Sequence, residues 1–361
     1  MSIHFHLLKV KDIRRETHDC VSVAFEVPEE LKESFRFIQG QNLTVRKWEK
    51  DEEIRRSYSI CSAPGDNELR IAIKEVDNGR FSTFANQQLK AGDSLEVMPP
   101  TGKFHSALNA QQKKNYLAIA AGSGITPVIS IIKTTLQTEP SSNFTLIYGN
   151  KNRSSIIFRE ELENLKNKYL SRFSLTHILS RETTDVPLFC GRIDANKCDD
   201  LFKKLIDIKT VDEFFLCGPE EMIFSVSRYL SDQGISAKNI HYELFTTPGA
   251  NHGISTGKVV VEAVDDKKKS LVSVQLDGIA TTFELNYGGE SVLSAALKLG
   301  IDLPFACKGG VCSTCRAKLL EGQVEMDNNY ALEEDEIENG FILTCQSHPR
   351  SDRLVITFDE R

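Results

Sequence analysis

The chain has 361 residues, 40% hydrophobic and 26% charged, ordinary values for a soluble globular protein and enough chain for two or three domains. Its net charge of −7 argues against a nucleic-acid partner. Residues 1–11 hold no apolar core of signal-peptide length, and nine cysteines without such a signal fit a reducing cytosol.

From residue 1 to about 106, short β-type runs such as Val21 to Phe25 and Leu69 to Ile73 alternate with turns, the pattern of an antiparallel barrel or sandwich. Arg56-Ser57-Tyr58-Ser59 ends one predicted strand. Alternation sends Arg56 and Tyr58 to one face, where an arginine can pair with a phosphate and an aromatic ring can pack on a flat cofactor. Many strands contain these residue types, so the tetrad gains meaning from its context. Gly79-Arg80-Phe81-Ser82-Thr83 then sets a glycine and two hydroxyls at a helix start. That is either a pyrophosphate cradle or an ordinary N-capped helix.

Residues 107–245 alternate apolar strands with helices, which predicts a doubly wound parallel sheet. The longest apolar stretch, Tyr116 to Ile132, is broken by Gly122, Ser123, Gly124, Thr126 and Pro127. It reads as strand–turn–helix and not as a membrane span. Gly122 and Gly124 let backbone approach a phosphate, and Pro127 suits a first helical turn. Pro127 stands where a G-x-G-x-x-G fingerprint needs its third glycine, and Ala121 rules out a nucleophile elbow. Ser180-Arg181-Glu182 ends the third strand of this block. Serine and arginine there lean towards a ribose 2′-phosphate, hence NADPH over NADH, with Lys151, Arg153 and Arg192 as helpers. Cys217-Gly218-Pro219 ends another strand, and His241-Tyr242-Glu243-Leu244-Phe245 closes the block. Cys217 by itself would be a small buried hydrophobe, and Glu243 a plain last-strand residue.

The stretch 246–256 is polar with Pro and Gly, the composition of an interdomain linker. After it come two β runs, Lys258 to Val264 and Leu271 to Leu276, and a short helix around Ser291 to Leu299. Then Cys307, Cys312 and Cys315 follow the C-x4-C-x2-C spacing of a plant-type 2Fe–2S cluster, with Cys345 as the distant fourth ligand. Gly309 and Gly310 permit the loop to wrap a cluster, and Ser313 and Thr314 leave room for backbone N–H groups to reach sulfur. Structural zinc prefers two short-spaced pairs, and only Cys312 and Cys315 form one. Cys20, Cys61, Cys190 and Cys198 have no ligand spacing and read as buried or free thiols. Residues 257–361 contain 11 Lys and Arg against 18 Asp and Glu, so the whole net charge resides there. Its densest run, Glu333 to Glu336 with Glu338, is either a solvated helix face or a docking surface that steers a basic electron acceptor.

The Arg56–Ser59 and Gly79–Thr83 motifs, followed by Pro99-Pro100-Thr101-Gly102-Lys103-Phe104, resemble the FAD domain of the ferredoxin–NADP reductase superfamily. The Gly122–Pro127 turn matches the G-x-G-x-x-P of the same superfamily, and the cysteine segment resembles plant-type ferredoxins. Essentially the whole chain is similar to reductase components that fuse an FAD/NAD(P) module to a C-terminal ferredoxin. The resemblance implies an antiparallel β-barrel FAD domain over 1–106, a doubly wound NAD(P) domain over 107–245, the linker, and a β-grasp ferredoxin-like domain over 257–361. It implies FAD held by Arg56, Tyr58, Ser59 and Lys74, with its pyrophosphate at Gly79, Phe81, Ser82 and Thr83. It sets Gly122, Gly124, Thr126, Cys217 and Gly218 beside the nicotinamide, Ser180 and Arg181 at the ribose phosphate, and Glu243 and Phe245 beside the flavin. Thr126, Cys217 and Glu243 are the candidate catalytic residues. The implied function is an NADPH-dependent, cytoplasmic reductase feeding an oxygenase, foremost a di-iron oxygenase acting on an aromatic acyl-CoA. Another hydroxylase, a desaturase or a hybrid-cluster protein is the related option, and a redox-sensing protein is the option from a different class.

Overall fold

The computed structural model describes residues 4–245 and 268–360, which form two compact units. The expected linker and the expected β run Lys258 to Val264 lie outside the described residues.

The first unit opens with six strands: β1 (His6–Thr17), β2 (Cys20–Glu26), β3 (Asn42–Glu49), β4 (Glu52–Ser59), β5 (Leu69–Lys74) and β6 (Ser94–Val97). They pair antiparallel in the order β4-β3-β6-β1-β2-β5. A bridge between Ile60 and Ile71 joins the two outer strands, so the sheet closes into a barrel. Leu8, Val23, Leu43, Val45, Ile71 and Ile73 alternate inward, and Phe81 of α1 (Arg80–Gln87) plugs the same core.

The chain then enters a parallel sheet through Thr101, whose backbone exchanges two hydrogen bonds with Asn42. Its strands are β7 (Asn115–Ala121), β8 (Asn143–Asn150), β9 (Phe173–Leu179), β10 (Glu213–Gly218) and β11 (Ile240–Leu244), in the order β11-β10-β7-β8-β9. The helices are α2 (Ile125–Thr138), α3 (Arg159–Lys168), α4 (Ala195–Lys204) and α5 (Glu220–Asp232). Strand order reverses between β7 and β10, and open α/β sheets bind ligands outside the strand ends at such a switch. Helix α2 packs on both the sheet and the barrel. Cys20, Cys61 and Ala72 of the barrel belong to the same buried cluster as Val128, Ile132, Tyr116 and Tyr148. Ser130 Oγ donates to Ser62 O at 2.7 Å, and Lys133 pairs with Asp66 of the barrel and with Glu161 of α3.

The second unit contains β12 (Lys269–Leu276), β13 (Ile279–Asn286), α6 (Val292–Lys298), β14 (Arg316–Glu321), β15 (Val324–Met326), α7 (Glu334–Glu338), β16 (Phe341–Leu343), β17 (Ser347–Pro349) and β18 (Arg353–Thr357). The sheet order is β13-β12-β18-β14-β16, with β12 and β18 parallel and the other pairs antiparallel. Val292, Leu293 and Ala296 of α6 pack on this sheet, as in a β-grasp fold. Strand β13 was not among the runs expected from the sequence, although buried Phe283 and Leu285 alternate with exposed Glu284 and Asn286. Its other signal is Asp277-Gly278: both residues have positive φ, at 51° and 77°, and Leu276 pairs with Ile279 across them. That is a primed two-residue hairpin turn. The Asp359 carboxylate accepts the N–H groups of both turn residues.

Lys133→Met leaves Asp66 and Glu161 without their shared cation inside the seam between barrel and sheet. The unfolding free energy should fall by about 1–3 kcal/mol, less than for a fully buried pair because Glu161 is partly solvated. Chemical denaturation checks this, and an unchanged midpoint would show that the Lys133 pairs do not hold the seam.

Candidate functional site

The switch point between β7 and β10 is built by close backbone contact. Gly122–Gly124 forms one 3-10 turn between β7 and α2, and Gly122 has φ +55°. A Cβ on Gly124 would lie 2.0 Å from Cys217 O, so this position excludes any side chain. A Cβ on Gly218 would meet Met222 Cε at 2.7 Å and Ala121 at 3.1 Å. The turn is braced from below by Tyr148, whose hydroxyl donates to Gly122 O at 2.9 Å. Thr126 is buried, and its hydroxyl donates to Ser123 O at 3.0 Å. Its side chain therefore closes the turn. Cys217 is fully buried, its thiol is pushed well above the usual range by burial, and it pairs in register with Glu243 on β11.

Glu243 ties this crevice to the barrel. Ser59 Oγ, at the end of β4, donates to Glu243 Oε2 at 2.9 Å. Burial raises the Glu243 carboxyl to about 7, and the Ser59 hydrogen bond works in the opposite direction. Residues 184 positions apart thus meet at one point, together with the strand that carries Arg56 and Tyr58.

On the barrel, Ser57 turns towards Thr44, at 3.2 Å between hydroxyls, as alternation expected. Tyr58 is half-buried and packs against Phe81, with ring centroids 5.7 Å apart. Arg56 is half-buried and donates to Arg55 O at 2.6 Å. At the start of α1, Gly79 is the N-cap residue, and a Cβ there would strike Ser82 Oγ at 2.3 Å and Val76 Cγ2 at 2.5 Å. Two of the expected cradle side chains are engaged internally. Phe81 is in the barrel core, and Ser82 Oγ donates to Gly79 O while accepting from Val76 N. What the helix start offers is backbone: its first-turn N–H groups have no carbonyl one turn earlier, and a Cβ-free cap gives access to them. The Thr83 side chain is half-buried. Lys74 has a partner of its own in Asp19, at 3.4 Å.

At the far end of the sheet, Ser180, Arg181, Lys151, Arg153 and Arg192 are all exposed at the carboxyl ends of β8 and β9. The one acid among them is occupied, since Glu182 Oε2 accepts the Arg153 N–H at 2.7 Å. Phe245 is 42% exposed at the end of the first described segment.

In the second unit the four expected thiols form two pairs. Cys312 Sγ donates to Cys307 Sγ at 3.1 Å, and Cys315 and Cys345 interact likewise. The Cys312 thiol, with N–H groups of Gly309, Cys312 and Val311, holds Cys307 down to about 6 against the effect of burial. Cys345 is lowered by Cys315 first, with the Gln346 amide and the Gly310 N–H adding to it. Backbone and amide donors aimed at thiolates are what an iron–sulfur cluster requires. The two-plus-two pairing fits two irons. Gly310 has φ +74° and abuts Asn328 O, while the second left-handed residue of the loop is Lys308, at φ +55°, and not Gly309 as the sequence suggested. No disulfide links any of the nine cysteines. Sequence reasoning missed Tyr148 and Gln346, whose side chains brace the two loops. No local pattern marks either one, because most of their partners are backbone atoms or distant side chains brought close by folding.

Three family models match the chain: an oxidoreductase FAD-binding domain over residues 7–106, an oxidoreductase NAD-binding domain over 118–228, and a 2Fe-2S iron-sulfur cluster binding domain over 274–350. A 1,2-phenylacetyl-CoA epoxidase subunit from Escherichia coli (strain K12) is 45% identical over 357 residues, covering 99% of this chain and 98% of that protein. The ferredoxin reductase component of 3-ketosteroid-9-alpha-monooxygenase from Rhodococcus rhodochrous is 32% identical, covering 98% of this chain and 96% of its own. Phthalate dioxygenase reductase, a solved structure described as modular for electron transfer from pyridine nucleotides to 2Fe–2S, matches with a TM-score of 0.58 at 22% identity and covers 98% of both chains, a likeness of fold.

The raised Glu243 carboxyl has a thermodynamic consequence. Between its ordinary 4.5 and about 7, the folded chain keeps a proton that the unfolded chain releases, so stability falls as pH rises through that window. Glu243→Gln should flatten this decline and be the more stable form above pH 7, by roughly 1–3 kcal/mol. Thermal unfolding across pH 4.5–8 reads it, and parallel curves for both proteins would disprove it.

Proposed function

The chain belongs to the family of oxygenase reductase components that join FAD-binding and NAD-binding domains to a 2Fe–2S domain, and we propose that it draws electrons from NADPH for a di-iron epoxidase acting on phenylacetyl-CoA. The observation that carries the site assignment is the meeting of Ser59, Gly124, Cys217 and Glu243 at the sheet's switch point. When bound, FAD would supply hydride chemistry with the nicotinamide and the 2Fe–2S cluster would supply one-electron transfer.

In this reading Arg56, Tyr58 and Ser59 orient the flavin and the N–H groups after Gly79 hold its pyrophosphate. Lys74, Phe81, Ser82 and Thr83 shape that cradle. The Gly122–Gly124 turn and Gly218 let backbone lie close to the nicotinamide half. Thr126 fixes the turn, and the neutral Cys217 thiol lies at the floor of the crevice. Glu243, poised near neutrality on Ser59, holds or releases a proton there without a change of position. Phe245 shields the flavin's exposed side. The domains run over 1–106, 107–245 and 257–361 with a linker over 246–256, and the protein works in the cytoplasm. No helix among the described residues is long and apolar enough to cross a membrane.

NADPH is favoured over NADH because Ser180 and Arg181 are open to a 2′-phosphate while Glu182 is tied to the Arg153 backbone. The partner surface is the acidic end of the second unit. Glu333, Glu334, Asp335 and Glu338 are exposed around Ile337, whereas Glu336 is buried against Arg316 at 2.8 Å and contributes no field outside.

Stopped-flow mixing with NADPH should bleach flavin absorbance and then cluster absorbance, and more slowly with NADH. Arg181→Ala should raise the KM for NADPH roughly tenfold, about 1.4 kcal/mol, and leave that for NADH alone. Equal losses with both nucleotides would remove Arg181 from the phosphate site. Reversing Glu334, Asp335 and Glu338 together to lysine should slow reduction of the epoxidase about tenfold at low salt, converging with the parent protein at high salt. Reduction of ferricyanide by NADPH is the control and should not change. A loss independent of ionic strength would place the docking surface elsewhere.

A further inference from the structure

Gln346 follows the fourth cluster ligand directly, and its side chain is the most heavily engaged amide of the second unit. It is 6% exposed. Its Nε2 has two N–H groups and three acceptors within range, Lys308 O at 3.1 Å, Cys345 O at 3.0 Å and Cys345 Sγ at 3.5 Å, so one N–H is shared between two of them. Its Oε1 accepts from Asn328 Nδ2 at 3.3 Å. The backbone N–H of Asp327 donates to Gln346 O at 3.0 Å, fixing the turn between β16 and β17 from which the side chain springs. Gly310 comes so close to Gln346 Cγ that an added Cβ would sit 3.1 Å away.

Two features of this arrangement point beyond loop bracing. Both N–H groups are taken up by Lys308 O and Cys345 O, yet one of them is also shared with the ligand sulfur, at 3.5 Å. The Lys308 and Cys345 carbonyls only accept, so they decide which way the amide faces, and Asn328 Nδ2 holds Oε1 on the other side. The opposite orientation would set Oε1 against both carbonyls and against Sγ.

We propose that Gln346, oriented by the Lys308 and Cys345 carbonyls and held by Asn328, is a positioning residue that sets the reduction potential of the 2Fe–2S cluster through the N–H it shares with Cys345 Sγ. The inference rests on the reading of the four cysteines as cluster ligands. The reduced cluster carries one more negative charge, part of it on the sulfurs, so a donor at a ligand sulfur stabilises the reduced form and raises the potential.

The test is an EPR-monitored redox titration of the full-length holoprotein, with iron content and visible circular dichroism recorded beside it. Gln346→Leu should retain two irons per chain and lower the ratio of reduced to oxidised cluster about tenfold at a fixed potential, about 59 mV for a one-electron couple. Asn328→Leu, which touches neither cysteine nor loop carbonyl, should move the potential the same way by a smaller amount. In the double variant it should add nothing, because it acts through Gln346. A merely structural role would give additive losses of stability and no such dependence. An unchanged potential in Gln346→Leu with full iron content overturns the proposal. Gln346→Met, of matched length, repeats the comparison if the leucine variant loses iron, and loss of iron in both overturns it in favour of a loop-building role. A parent protein with no plant-type EPR signal would instead refute the cluster reading itself.

Discussion

Helix α2 is buried along most of its length, from Ile125 to Ile132 and again at Thr135 and Leu136, because it is packed between the parallel sheet on one side and the barrel on the other. A helix apolar all round is stable only when enclosed in this way. The enclosure has consequences at its N-terminus. The Gly122–Gly124 turn has no freedom to move away from β10, since α2 is pinned to the barrel by Ser130, Lys133 and the cluster around Cys20 and Cys61. The end of β4 is pinned by the same contacts, so Ser59 reaches Glu243 across two structural layers. The carboxyl is raised towards neutrality because that meeting point is buried. Packing, and not any property of Glu243 alone, makes it a group able to exchange a proton near neutral pH.

The second unit shows the opposite balance. Its sheet and α6 supply an ordinary apolar core, and the chemistry hangs on a loop with little regular structure. Such a loop keeps its shape through hydrogen bonds to backbone. Gly310 and Lys308 take left-handed conformations, Tyr330 N–H bonds Gly310 O, and Gln346 laces Lys308 to Cys345. The aim of N–H groups at sulfur follows from that lacing. The acidic helix α7 is tied to the same region, because buried Glu336 pairs with Arg316, the residue after Cys315. One carboxylate of the run is thereby spent on structure, and the remaining ones face solvent.

Electrostatics divides along the same line. Residues 257–361 carry the entire net charge, while the other residues balance to zero. A neutral module suits tight contact with a nucleotide, whose own charge a few placed groups can meet, the role proposed for Arg181. A charged module suits a transient macromolecular partner, for which the field raises encounter rate more than affinity.

Much of this was legible in the residues themselves. The cysteine spacing names its cofactor, since two irons need thiolates in two pairs and few sequences offer them at these intervals. The strand–turn–helix at Tyr116 to Ile132, the strand end at Ser59 and the helix start at Gly79 depend on local periodicity and on glycine, both of which a sequence displays directly. Strand β13 was also legible, in the alternation of Phe283 and Leu285 with Glu284 and Asn286 and in the Asp277-Gly278 hairpin turn, and was missed. Folding alone decided that Ser82 and Phe81 turn inward, that Glu182 is occupied by a backbone N–H, that Glu336 is buried, and that Glu243, Asn328 and Gln346 acquire their partners. Each of these depends on residues distant in sequence or on backbone atoms, which carry no letter in the chain, so only the packed structure could bring them into range.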